Sequence, residues 1–240
     1  MNYKIDVSTS IEELSEKFAN ILKQGTAESD SYFTVALSGG STPKVIFNYL
    51  AENFKTKIDW NKIKFFWVDE RCVTPDDTES NYGMTKKYFF DKIDIPGQNI
   101  FRIRGEDEPL QESERYSKII LENVSFKNKF PQFDLIVLGI GEDGHTASIF
   151  PGRLDLFDSN DICDTTEHPQ TGQKRITLNG KVINNAKKVV FLVTGKSKKA
   201  INDIVLNRKD GFEKLPVAFI CPIDGELIWM LDAEAVTFEM

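Results

Sequence analysis

The stretch Phe133–Gly152, FDLIVLGIGEDGHTASIFPG, decides how the rest of the chain reads. Its opening FDLIVLG is apolar at nearly every position, the pattern of a strand covered on both faces. Such strands belong to parallel sheets packed between helices. The apolar block then breaks into glycines, and the break holds His145, one of only two histidines in 240 residues.

Outward from this block, strands and helices alternate. STSIEELSEKFANIL opens with a capping box, Ser10 with Glu13, and sets Ile11, Leu14, Phe18 and Ile21 on one helical face. YFTVAL (32–37) reads as a strand, and the helix PKVIFNYLAENF after it turns Val45, Ile46, Tyr49 and Leu50 to a core. KIKFFWV (62–68) is a second strand, SNYGMTKKYFFDKI a helix, NIFRI a brief strand and PLQESERYSKIILENV a helix. Past the central block come strand KKVVFLVTG, helix SKKAINDIVL and strands LPVAFI and ELIWML. The pattern predicts one α/β domain over residues 1–240, a doubly wound, mainly parallel sheet flanked by helices, Rossmann-like in plan.

The totals narrow the function. A net charge of −7 argues against general affinity for nucleic acid or anionic lipid, though not against an anionic small molecule held by a local basic cluster. No apolar run approaches the ~18–20 residues that cross a bilayer, so no membrane partner is expected. MNYKIDVSTS lacks the apolar region of a signal peptide, and a cytoplasmic location is expected. Cys72, Cys163 and Cys221 are scattered and odd in number, which fits reduced thiols.

In a doubly wound sheet, ligands sit beyond the carboxyl ends of the strands. The conspicuous polar residues fall there. LSGGSTPKVIF passes from strand to helix through Gly39 and Gly40, with Ser41 or Thr42 as N-cap, and such a helix start suits phosphate. It lacks the spacing of a nucleotide P-loop. FFWVDERCVTP ends a strand in Asp69, Glu70 and Arg71, and the arginine could grip phosphate or hydroxyls in a fork. Arg175, before a short apolar run, and Lys196, after the Gly195 turn, could each pair with an anion. Lys187, Lys188, Lys198 and Lys199 are assigned to solvated faces.

GIGEDGH contains G-x-G-x-x-G, but the dinucleotide fingerprint must open a long helix, and Pro151 with Gly152 ends any helix within two turns. The glycines instead bring the backbone close to a small ligand and aim His145 at it. Asp143, two residues earlier, can fix the imidazole tautomer and leave the other nitrogen free to take a proton from water. His168, in TTEHPQTGQK, reads as a loop residue. No H-e-x-x-H, C-x-x-C or G-x-S-x-G pattern supports a metal site or a serine nucleophile, so neither metal nor cofactor is expected.

These segments, in this order, resemble the 6-phosphogluconolactonase family, within the broader group that includes glucosamine-6-phosphate deaminases. The likeness runs from ALSGGSTPK through FFWVDERCVTPDDTESNYGM and GIGEDGHTASIFPG to RITL and VTGKSKKA. It implies cofactor-free hydrolysis of 6-phosphoglucono-δ-lactone, with the catalytic histidine at His145 and its acidic neighbour at Asp143. Substrate contacts are implied for Gly39, Gly40, Ser41, Thr42, Asp69, Arg71, Arg175 and Lys196. In the deaminase relatives the histidine turn continues into an Asn-Glu pair, where this chain has Ile149 and Phe150, and their Asp-Glu-Tyr stands where this chain has Asp-Glu-Arg. Both departures favour the lactonase. A deaminase-like isomerase and a non-enzymatic sugar-phosphate-binding protein stay as alternatives. LFDSNDICDTTEHPQTGQK (156–174) carries no motif.

Overall fold

The computed structural model describes residues 3–237. The chain runs β1 (Tyr3–Ser8), α1 (Ile11–Glu28), β2 (Phe33–Leu37), α2 (Ser41–Asn53), β3 (Ile63–Trp67), β4 (Asp69–Arg71), α3 (Asn81–Tyr88) and α4 (Pro109–Asn123). A small hairpin, β5 (Phe126–Lys127) and β6 (Phe130–Pro131), precedes the central strand β7 (Leu135–Leu138). Then follow β8 (Cys163–Glu167), β9 (Lys174–Leu178), α5 (Gly180–Ile183), β10 (Lys188–Val193), α6 (Lys199–Leu206) and β11 (Glu226–Asp232).

Six strands form a parallel sheet in the order β1-β11-β10-β7-β2-β3. Both faces are covered, as the apolar run of β7 requires, and Leu135 to Leu138 are fully buried. The mainly parallel, doubly wound plan is as expected. The order reverses between β2 and β7, since β2 leads outward to the edge strand β3 while β7 adjoins β10 on the other side. The crevice at that switch point is where such a sheet binds ligands.

Several local expectations need correction. β1 is not among the expected strands, although Tyr3, Ile5 and Val7 alternate with Lys4, Asp6 and Ser8; it pairs in parallel with β11. NIFRI is not a strand; only Ile100 bridges to Phe65, where the segment covers the edge of β3. LPVAFI is not a strand either: Pro216–Phe219 form a 3₁₀ turn, because Pro216 presets its φ and offers no N–H to a ladder. On α2 the buried residues are Pro43, Ile46, Phe47, Leu50 and Ala51, whereas Val45 is 48% exposed. Ser10 caps α1 by accepting from the Glu13 N–H, while the Glu13 carboxylate reaches back to Thr9 instead of Ser10.

The DER segment is more than a strand end. Val68 still gives its N–H to Leu37 of β2, but its carbonyl accepts the N–H of Leu178. The chain thereby leaves the large sheet and enters a second, antiparallel one in the order β4-β9-β8. The exit is secured by Tyr116 of α4, fully buried, whose hydroxyl accepts from the Trp67 N–H at 2.7 Å and donates to the Trp67 carbonyl at 2.9 Å. An edge strand's free backbone groups are satisfied in this way without a further strand.

Tyr116→Phe leaves both Trp67 groups buried without a partner. It is expected to lower stability by about 1–3 kcal/mol, seen as a lower urea midpoint at unchanged slope.

Candidate active site

Beyond the ends of β2, β3 and β7 lies a cleft of about 240 Å³, lined by Gly39, Gly40, Asp69, Arg71, His145 and Arg175 among others. A larger hollow of about 690 Å³ opens beside β1 and α1, but no histidine or arginine lines it. Chemistry, not volume, selects the smaller one.

The turn after β7 is built around its histidine. Gly141 donates its N–H to the His145 carbonyl at 2.8 Å, and Gly144 to the Gly141 carbonyl at 3.0 Å, which folds the backbone back on itself. Gly144 has φ +80°, and Leu215 of the 3₁₀ segment packs so close that any side chain there would collide with it. The Asp143 carboxylate accepts from His145 Nδ1 at 2.6 Å and from the His145 N–H at 3.1 Å. With Nδ1 engaged, Nε2 is the nitrogen left for other chemistry. Burial works to raise the Asp143 pKa, but the hydrogen bond and charge of His145 outweigh it, and the carboxyl ends below its ordinary value. Gly141 is required for a second reason: a Cβ there would lie 2.1 Å from His145 Nδ1.

Two guanidiniums face this imidazole across the cleft. Arg71 of β4 and Arg175 of β9 are direct cross-strand partners, so both project from the same face of the small sheet. Arg175 is only 8% exposed, yet its Nε has no hydrogen-bond partner; the buried Nε of Arg71 has none either. Burial, and then the charge of Arg71, hold the Arg175 pKa below its usual value. Two like charges desolvated side by side are costly unless an anion joins them. Arg71 is steadied by donating to the Glu79 carbonyl at 2.6 Å.

Asp69 and Glu70 fasten the loops together. Asp69 is buried and accepts from Ser148 Oγ at 2.7 Å and from Asn81 Nδ2 through its carbonyl at 3.0 Å. Asn81 in turn packs against Gly39, where a Cβ would come within 1.8 Å of its Oδ1. Glu70 takes the N–H groups of Arg71, Asn81 and Tyr82, each at 2.8 Å, and so ties the start of α3 to β4. Burial pushes its carboxyl up to about 7 against the pull of those donors.

Not every expected residue reaches the cleft. Gly40, at φ +116°, is the N-cap of α2, so Ser41 and Thr42 lie inside the helix rather than capping it. Ser41 is exposed, and Thr42 bonds to Thr194 Oγ1 at 2.6 Å, joining α2 to the end of β10. Lys196 is 82% exposed and lies 3.8 Å from Glu234. Lys198, expected on a solvated face, lines the cleft instead. The reason is the 3₁₀ turn Lys196–Lys198: at three residues per turn, positions two apart face different ways. Asn81 is another lining residue that the sequence did not reveal, as are Ser38, Ile140 and Ala147; the signal of Asn81, following the Ser80 N-cap, looks like ordinary helix capping. Among the described residues, no group of three or more His, Cys, Asp and Glu is placed to hold a metal ion. No helix among them is long and apolar enough to cross a membrane.

Fold and site thus define a doubly wound α/β protein with a carboxylate-held imidazole opposite a basic, anion-ready wall. Residues 6–229 match the family described as glucosamine-6-phosphate isomerases/6-phosphogluconolactonase. The chain is 42% identical over 203 residues to the 6-phosphogluconolactonase of Haemophilus influenzae, covering 84% of this chain and 85% of that protein. It is 45% identical over 164 residues to that of Treponema pallidum, 68% of each chain. The solved 6-phosphogluconolactonase of Trypanosoma brucei superposes with a TM-score of 0.84 at 30% identity, covering 98% of this chain and 97% of that one. The chain belongs to the glucosamine-6-phosphate isomerase/6-phosphogluconolactonase family.

Gly141→Ala should push the imidazole from its place without unfolding the protein. The expected result is an unchanged circular dichroism spectrum with displaced His145 ring resonances in NMR.

Proposed function

We propose that this chain hydrolyses 6-phosphoglucono-δ-lactone to 6-phosphogluconate, the lactone step of the oxidative pentose phosphate pathway, with His145 as general base. The observation that carries the reading is the pairing of His145 with Asp143 in one cleft with two arginines whose buried Nε atoms lack partners. The substrate supplies what each side needs: an activated ester at one end and a phosphate at the other.

Water held near Nε2 gives up a proton to the imidazole as its oxygen bonds to the lactone C1. The tetrahedral intermediate collapses with cleavage of the bond from C1 to the ring oxygen, and the imidazolium returns its proton to that oxygen. General acid–base help of this kind contributes about 10²–10⁴-fold. Asp143 keeps the imidazole oriented and stabilises its protonated form. The phosphate sits against Arg71 and Arg175, with Lys198 completing the wall, and its remote binding orients C1 at the water. Gly141 and Gly144 have spent their N–H groups inside the turn, so the oxyanion falls to other backbone donors of the cleft, and Gly39 and Gly40 at the start of α2 are candidates.

The isomerase reading of the same family is disfavoured by Phe150. Its ring is buried against His145, so that position offers no carboxylate to a sugar ring.

A lactone-hydrolysis assay corrected for the spontaneous reaction tests the activity directly. His145→Ala is expected to lose about 10²–10⁴ in kcat at an unchanged melting temperature; a variant of near-native rate removes the histidine from the mechanism. Arg175→Ala and Lys198→Ala are expected to raise KM about tenfold or more, and Lys196→Ala to leave it unchanged. The opposite ordering of the two lysines would overturn the placement of the phosphate.

A further inference from the structure

The turn between β8 and β9, His168 to Gln173, carries no motif, yet its contacts lead to both halves of the site. Backbone bonds close it: His168 donates its N–H to the Gln173 carbonyl, and Gly172 donates to the His168 carbonyl, each at 2.9 Å. His168 Nδ1 accepts the N–H groups of Gln170 at 3.2 Å and Thr171 at 3.3 Å. Two donors on Nδ1 place the ring proton on Nε2 and remove the ring's freedom to swing.

The ring so fixed meets Phe150 edge to face, with centroids 5.0 Å apart. Phe150 is buried and also meets His145, with centroids 4.9 Å apart. Phe150 is thus in ring contact with both the hairpin histidine and the His145 imidazole. His145 needs such support. Among the described residues its ring bonds only to Asp143, whose side chain is 43% exposed, and a single bond leaves a ring free to rock about it.

A second line leaves the same turn. Gln173 donates from Nε2 to the Glu79 carboxylate at 2.7 Å, and the Glu79 carbonyl accepts from Arg71. The strand register accounts for the double reach. Thr166, Arg175 and Arg71 form one cross-strand row, and His168 and Gln173 stand two residues beyond it on the same face.

We propose that the β8–β9 turn is a brace that fixes the imidazole and the arginine wall relative to one another, with His168, Phe150 and Gln173 as positioning residues. This rests on the reading of His145 as the general base. The imidazole is held through His168 and Phe150, and Arg71 through Gln173 and Glu79, so the two arms separate in kinetics.

His168→Ala is expected to lower kcat about 2- to 10-fold, the scale of a lost aromatic pair, with KM little changed. Gln173→Ala is expected to raise KM about 3- to 10-fold, the scale of one ordinary lost hydrogen bond, with kcat little changed. Phe150→Leu, which keeps apolar bulk but not the ring face, is expected to lower kcat and also to raise KM, because the Arg175 guanidinium stands 5.9 Å over the same ring. His168→Phe restores the ring contact without the turn acceptor and is expected to recover kcat; His168→Asn restores the acceptor alone and is not. Because the chain has two histidines, His168→Ala leaves only the His145 ring in the NMR spectrum, and its resonances are expected to shift and broaden. Unmoved His145 resonances, or recovery by Asn and not by Phe, overturn the brace. The NMR arm is independent of turnover: if the wild-type protein fails to hydrolyse the lactone, the proposed function falls while the ring contact is still decided.

Discussion

Everything at the site depends on one residue sharing its backbone between two sheets. Val68 gives its N–H to the parallel sheet and its carbonyl to the antiparallel one, so β3 runs straight on into β4. A sheet ladder leaves little freedom of rotation, and the three residues beyond this joint are therefore aimed by hydrogen bonds rather than by a loop. That aim sends Asp69 inward to Ser148 and Arg71 alongside Arg175. The basic wall is thus carried by a rigid element that shares the cleft with the glycine turn held by β7.

Electrostatically the site is divided. On the β7 side a carboxylate and an imidazole satisfy one another at 2.6 Å. On the small sheet, charge is left unsatisfied: a guanidinium only 8% exposed has a buried Nε without a partner and a second guanidinium beside it. Burial of a polar group without a partner is tolerated where function uses it. The cost is borne by the well-bonded carboxylates below, since Asp69 and Glu70 knit β4, α3 and the histidine turn into one support. An acidic protein of net charge −7 can therefore present a local site for an anion.

The strand alternation, the burial of β7, the helix start at Gly39 and Gly40 and the pairing of Asp143 with His145 were all legible in the sequence. Each depends on residues within about two turns of one another, where period, capping and turn chemistry act locally. Legibility failed where a long-range partner set the outcome. LPVAFI carries its own local warning in Pro216, but that the 3₁₀ segment packs Leu215 against Gly144 as a prop for the histidine turn is set by contact across the chain. Lys196 and Lys198 are indistinguishable by composition, and only the handing of the turn after β10 turns one to solvent and the other to the cleft. The segment around His168 gave no signal, because its relation to His145 passes through Phe150 in space and not along the chain.

The sequence by itself determined the alternating elements, the covered parallel sheet and the chemistry available at each strand end, since these follow from side-chain period and from the donors and acceptors each residue brings. Only the tertiary structure decided which of those groups meet. The second sheet, the cross-strand pairing of Arg71 with Arg175 and the contact of Phe150 with His168 arise from hydrogen-bond ladders and packing between segments distant in the chain, and no local preference encodes a contact of that kind.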